Sequence, residues 1–352
     1  MKKADTLGDE LRRQGISRRT FLKFCAAMAT SMALPASMAP VMADALAATR
    51  RQSVIWLSFQ ECTGCTESIL RSYAPSIESL IFDFISLDYH HTLQAAAGRA
   101  AEDARDQAMQ ENWGKYLVIV DGSIPLKDGG IYSTIDGHTN LETLETVAAG
   151  AAALISVGTC AAYGGLPMAR PNPTGAVGVD EIIKDKPVIN LPGCPPIPEV
   201  MTGTIASFLT FGRLPEMDRL GRPVAFFGDT IHDRCYRRPL YERGKFARGF
   251  DDEGARKGWC LYALGCKGPI TYNACATIKW NQGQSFPIQS GHGCLGCSEP
   301  RFWDKDSFYK PLSATHWGNA AGLAAAAAAG AAVGAGVAVL SRRHQDTIAK
   351  GE

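Results

Sequence analysis

The sequence predicts an α/β protein: a doubly wound parallel sheet, then a smaller irregular cysteine-rich domain, then a transmembrane helix at the C-terminus. Three observations carry that prediction. Short apolar runs at 54–57, 81–87, 117–120, 154–157 and 188–191 alternate with helical stretches, the pattern of parallel strands joined by helical crossovers. Beyond about residue 216 regular periodicity gives way to Gly-, aromatic- and Cys-rich sequence. Residues 318–340 are uncharged and consist almost wholly of Ala, Gly, Val and Leu, long enough for a hydrocarbon core that needs about 20 helical residues.

Taken in order, residues 1–47 read as an export leader. Ser17-Arg18-Arg19-Thr20-Phe21-Leu22-Lys23 precedes a weakly apolar run from Phe24 to Pro40 and small residues suited to cleavage near Ala43 or Ala47. That is a twin-arginine signal, which moves proteins already folded, commonly because a cofactor was inserted in the cytoplasm. Residues 48–215 form the sheet domain, whose functional loops belong at the carboxyl ends of the strands. Residues 216–312 form the irregular domain, too poor in regular periods to stand on an ordinary core. Residues 313–352 form the anchor and a tail, and Arg342-Arg343 directly after the helix keep the tail cytoplasmic by the positive-inside tendency. Gly318 and Gly322, and Gly330 and Gly334, sit four apart and would let another membrane helix approach closely. His316 and His344 flank the anchor and read as solvated polar residues.

With 46% hydrophobic and 20% charged residues in 352, the chain can bury a sizeable core. Its 36 basic and 35 acidic residues leave a net charge of +1, which gives no reason to expect nucleic acid as a partner.

Cysteine is where the sequence becomes specific. Of eleven cysteines Cys25 falls in the leader, leaving ten. An even count in an exported protein suggests disulfides, but a chain of this size needs no staples, and a protein folded before export first meets a reducing cytoplasm. Metal ligation is the better account. Cys62-Thr63-Gly64-Cys65 has the spacing for two thiolates on one cluster, and Cys160 and Cys194 each follow a strand-like run, so four thiolates can converge at the strand ends. A thioredoxin-like pair would leave Cys160 and Cys194 unexplained. His232, Cys235, Cys260 and Cys266 suit either zinc or a 4Fe-4S cluster with one imidazole ligand. Cys275, Cys294 and Cys297 are only three, the number for a 3Fe-4S cluster, and Pro287 between them cannot ligate metal through its side chain. All ten cysteines are then used.

These residues, with Glu61-Cys62-Thr63-Gly64-Cys65-Thr66-Glu67-Ser68, Asp121-Gly122-Ser123-Ile124-Pro125, Arg170-Pro171-Asn172-Pro173-Thr174-Gly175, Pro192-Gly193-Cys194-Pro195-Pro196 and Gly258-Trp259-Cys260, make the chain resemble the small subunits of nickel-iron hydrogenases over nearly its whole length, in particular the membrane-bound, periplasm-facing group 1 uptake type. The resemblance implies a flavodoxin-like sheet domain and an electron-transfer role. It also implies that a separate large subunit holds the nickel-iron centre, so that no catalytic residue lies in this chain. Cys62, Cys65, Cys160 and Cys194 then hold the proximal 4Fe-4S cluster; Cys275, Cys294 and Cys297 the medial 3Fe-4S cluster, with Pro287 where a fourth ligand would stand; and His232, Cys235, Cys260 and Cys266 the distal 4Fe-4S cluster. Glu61 and Thr63 lie beside the first cluster loop.

Oxygen-tolerant members carry two extra cysteines at places occupied here by Gly64 and Gly165, so the resemblance implies an ordinary proximal cluster and an oxygen-sensitive enzyme. It further implies a heterodimer, with electrons delivered to a cytochrome b or another quinone-reducing membrane subunit on the periplasmic side of the cell membrane. Two readings compete: an exported iron-sulfur carrier serving some other catalytic subunit, and a disulfide-stapled tethered binding protein.

Overall fold

The computed structural model describes residues 6–13, 17–31, 34–48, 51–305 and 308–312. Three helices lead, α1 (Leu7–Arg13), α2 (Arg18–Ser31) and α3 (Met38–Ala48). The sheet follows, with strands β1 (Gln52–Ser58), β2 (Ile85–His90), β3 (Leu117–Asp121), β4 (Ala153–Val157) and β5 (Val188–Leu191). The main helices beyond β1 are α4 (Gly64–Ile69), α5 (Arg99–Glu111), α6 (Asn140–Ala149), α7 (Gly158–Tyr163) and α8 (Pro198–Phe211). All four strand pairings are parallel and the spatial order is 2-1-3-4-5. That is the flavodoxin-like order, whose direction reverses between β1 and β3 and opens a crevice at their carboxyl ends.

Strands β3 and β4 are buried along their whole length, as expected of central parallel strands covered on both faces. One side packs Val54, Trp56, Leu117, Ile119 and Ile155 against α8, and the other packs Ile55, Val118, Val120 and Leu154 against α6. A Thr139–Glu142 capping box starts α6, and Gly212 in the left-handed region ends α8.

The run 81–87 does not form one strand. Residues Leu80–Phe84 make a π-helical turn and only Ile85 onward joins the sheet. A run this short, apolar but for Asp83 and Ser86, does not separate helix from strand by its period. What decides it lies elsewhere: the Arg51 guanidinium donates to the carbonyls of Ile81 and Ile85, both at 2.6 Å, holding the turn's free acceptors.

After α8 the helices among the described residues are brief, Val224–Phe227, Arg238–Glu242 and Glu253–Arg256, with 3-10 turns between loops. The leading helices bury Phe21, Cys25, Met42 and Leu46 in the core that also holds Phe84 and Ile205, and the rings of Phe24 and Phe84 stack 4.5 Å apart. Among the described residues no helix is long and apolar enough to cross a membrane, and the expected anchor at 318–340, with His316 and His344, lies outside them.

Candidate metal centres

The first group forms where β1, β3, β4 and β5 end. Cys62 and Cys65 enter α4 through Thr63, whose backbone is left-handed. Cys160 lies in α7, directly after β4, and Cys194 three residues after β5. The thiols share one field: Cys160 and Cys194 each push up the pKa of Cys65, and Cys62 does the same to Cys160 and Cys194. Two glycines leave the floor open. A Cβ at Gly158 would stand 2.5 Å from the Cys65 sulfur, and one at Gly165 2.6 Å from that of Cys160, both on backbones with positive φ.

Asp121, at the end of β3 and 1% exposed, hydrogen-bonds the Cys65 thiol and accepts from the amides of Gly122 and Thr66, bracing the Cys62–Cys65 turn. Burial raises its pKa to about 7, and Glu61 nearby pushes the same way. Glu61 is itself raised by burial; one carboxyl oxygen accepts from the Thr63 hydroxyl at 3.3 Å and the other is buried without a partner.

The second group lines a cavity of about 430 Å³, where Cys275, Cys294 and Cys297 meet Pro287, Phe286 and Trp280. Cys194 of the first group lines it too. The Trp280 indole donates to the Cys275 sulfur, and the Gly296 amide to that of Cys294 at 3.4 Å. Pro287 thus stands in the wall with the three thiols, adding no donor.

The third group gathers Cys235, Cys260 and Cys266, each of which raises or is raised by another. The amide of Arg237 donates to the Cys235 sulfur at 3.4 Å, and those of Gly268 and Cys294 to Cys266 at 3.5 and 3.3 Å. His232 joins through its backbone, donating to Gly268 O at 3.2 Å and accepting from the Cys235 amide at 3.2 Å, while its ring packs edge-on against Tyr241 at 4.7 Å. Burial lowers its pKa, which favours the neutral imidazole a metal needs.

The donor sets suit iron-sulfur clusters. All eleven cysteines are free thiols, so no disulfide framework is present. Burial pushes Cys194 and Cys275 up to about 12 and Cys160 and Cys260 to about 11, so only a strong local positive charge would make them thiolates at neutral pH, and a bound metal supplies one. Among the described residues no three His, Cys, Asp or Glu side chains close on a point that could hold one ion. Ligands that each bind a different iron of one cluster stand further apart than four ligands on a single zinc.

Asp121, Gly158 and Thr159 stand in sequence motifs but carry no role there of their own. The signal for all three was available, since each borders the carboxyl end of an apolar strand.

Residues 62–208 match the family model for the NADH ubiquinone oxidoreductase 20 Kd subunit, and residues 227–310 that for the C-terminal part of the NiFe/NiFeSe hydrogenase small subunit. The uptake hydrogenase small subunit of Azotobacter vinelandii is 51% identical over 313 residues, 89% of this chain and 87% of that protein. The Hydrogenase-1 small chain of Escherichia coli (strain K12) is 50% identical over 321 residues, 90% of this chain and 86% of that one. Among solved structures, the H2-activated Dm. baculatum [NiFeSe]-hydrogenase superposes with a TM-score of 0.69 at 36% identity, covering 75% of this chain and 100% of that chain.

Proposed function

The chain belongs to the hydrogenase small-subunit family, and from that premise we propose that it is the electron-transfer subunit of a heterodimeric nickel-iron hydrogenase, holding three iron-sulfur clusters in a row. The large subunit would contain the nickel-iron centre and split hydrogen. Cys62, Cys65, Cys160 and Cys194 would hold the proximal 4Fe-4S cluster, Cys275, Cys294 and Cys297 the medial 3Fe-4S cluster, and His232, Cys235, Cys260 and Cys266 the distal 4Fe-4S cluster. Such clusters supply reversible one-electron chemistry at potentials set by ligand charge, burial and hydrogen bonds to sulfur.

One observation carries the reading: the three groups touch in series. Cys194 of the first lines the cavity of the second, and the Cys294 amide of the second donates to the Cys266 sulfur of the third at 3.3 Å. The order in space is proximal, medial, distal, although the medial ligands come last in the sequence. This chain's residues keep the stations close and aim amide N–H groups at their sulfurs. Pro287 keeps a fourth protein ligand from the medial site, and His232 makes the distal site one negative charge poorer than four thiolates would.

The leader, the periplasmic location, the anchor at 318–340 and a cytochrome b or other quinone-reducing partner complete the proposal, supported by the twin arginines and the uncharged C-terminal run. Electron paramagnetic resonance with iron and nickel analysis on the anaerobically purified complex tests it. About eleven iron atoms per chain, an oxidised 3Fe-4S signal that hydrogen removes, and nickel travelling with the larger subunit are expected. Clusters without nickel or any response to hydrogen would leave an iron-sulfur carrier for another enzyme.

A further inference from the structure

One hydroxyl ties the first ligand group to the second. Thr159 is 1% exposed and precedes the ligand Cys160. Its amide donates to Gly193 O at 2.9 Å, and its hydroxyl accepts from the Gly193 amide at 2.9 Å. The same hydroxyl donates to the carbonyl of Cys297 at 2.5 Å. Gly193 precedes Cys194, so one side chain joins the backbones of two ligands in the first group and one in the second. Between the joined segments the Cys194 amide donates to the Cys297 sulfur.

We propose that Thr159 is a positioning residue for electron transfer: its hydroxyl sets the distance between the proximal and medial ligand groups and holds the Cys194 N–H on the Cys297 sulfur. The inference rests on the cluster assignment above. The hydroxyl donates across the gap to the Cys297 carbonyl and accepts within the first group from the Gly193 amide, so one side chain fixes its own ligand segment and ties it to the second. Serine can replace it; valine, of the same shape, cannot. An N–H bond to a ligating sulfur favours the more negative, reduced state, so the strut raises the medial potential.

The test uses the intact heterodimer purified anaerobically, with Thr159→Val and Thr159→Ser, in a redox titration followed by the 3Fe-4S resonance. Thr159→Val is expected to keep its iron and its distal potential while the medial oxidised-to-reduced equilibrium shifts about fivefold toward the oxidised form, about 40 mV at 59 mV per tenfold for one electron. Thr159→Ser should titrate as the natural protein does. Loss of the medial cluster alone in Thr159→Val and in the smaller Thr159→Ala, with Thr159→Ser fully loaded, also supports the strut. An unmoved medial potential in a loaded Thr159→Val, equal behaviour of Ser and Val, or loss of all clusters together overturns it. If the natural protein shows no 3Fe-4S resonance, the ligand assignment underneath has failed instead, and the strut goes with it.

Discussion

Replacing Arg222 with methionine should destabilise the protein by about 3 kcal/mol, chiefly by stranding the carboxylate of Glu299. Arg222 is 4% exposed, and its guanidinium donates to Asp218 at 2.7 Å and to Glu299 at 3.0 Å. It also lies over the rings of Tyr272 and Phe227, 5.3 and 5.6 Å from their centres. Breaking a buried ion pair from one side costs about 3–5 kcal/mol. Asp218 keeps two backbone donors, from Leu220 and Arg222, and its side chain is 22% exposed, so it contributes little of this. Glu299, 11% exposed, is left with the Tyr272 amide at 2.8 Å, which puts the cost at the lower end of that range. Arg222→Met/Glu299→Gln removes the stranded charge and should recover roughly half of the loss.

Bleaching of the visible cluster absorption of the anaerobic heterodimer in denaturant measures the rate of unfolding. If the contact is lost before the barrier, about 3 kcal/mol accelerates bleaching by roughly 150-fold. Single and double variants bleaching at the same rate would refute the argument, because the cost would then be lost packing and not a charge without its partner.

His90, 1% exposed, accepts the Thr92 amide on Nδ1 at 3.1 Å, so a second ring proton has no room, and burial lowers its pKa to about 4. The unfolded imidazole, at 6.5, binds the proton first, so stability is full above pH 6.5 and falls as the pH drops toward 4, by about 3 kcal/mol; His90→Gln should flatten that part of a pH series of denaturation midpoints, and an unchanged slope would count against the assignment. Gly158→Ala puts a methyl carbon 2.5 Å from the Cys65 sulfur at φ +86, and should cost the proximal cluster, about four of eleven iron atoms, by iron analysis. Hydrogen oxidation should stop on exposure to air, since neither Gly64 nor Gly165 supplies a thiol, and sustained turnover in air would contradict this. Gly64→Cys should be accepted with a small adjustment, its Cβ 3.1 Å from the Cys62 sulfur, whereas Gly165→Cys, at φ +51 and 2.7 Å from the Cys160 Cα, should lower the yield of loaded protein.

Much of this was legible in the sequence where a single segment carries its own signal. The central strands are mostly apolar runs, broken only by single buried polar residues such as Ser156 and Asn190, and Cys62, Cys160 and Cys194 follow such runs closely, which points to a site at the strand ends. Legibility stops where a residue acts through a partner far along the chain. Thr159 reaches Cys297 across 138 positions and Arg222 reaches Glu299 across 77, and neither bears any local mark of that partner. The turn Leu80–Phe84 fails the same way, because the side chain that holds it, Arg51, is 30 positions away from Ile81. Composition reports burial well and reports the geometry of polar contacts poorly.

The series of ligand groups also governs how the protein can be made. On the proposed assignment the middle station needs Cys294 and Cys297, while every ligand of the two outer stations has appeared by Cys266. A polypeptide cut short after about residue 290 would keep all the ligands of both outer sites and still conduct nothing, because the gap would fall in the centre. On the proposed assignment, no conducting path exists until the segment carrying Cys294 and Cys297 has been made and folded against Cys194.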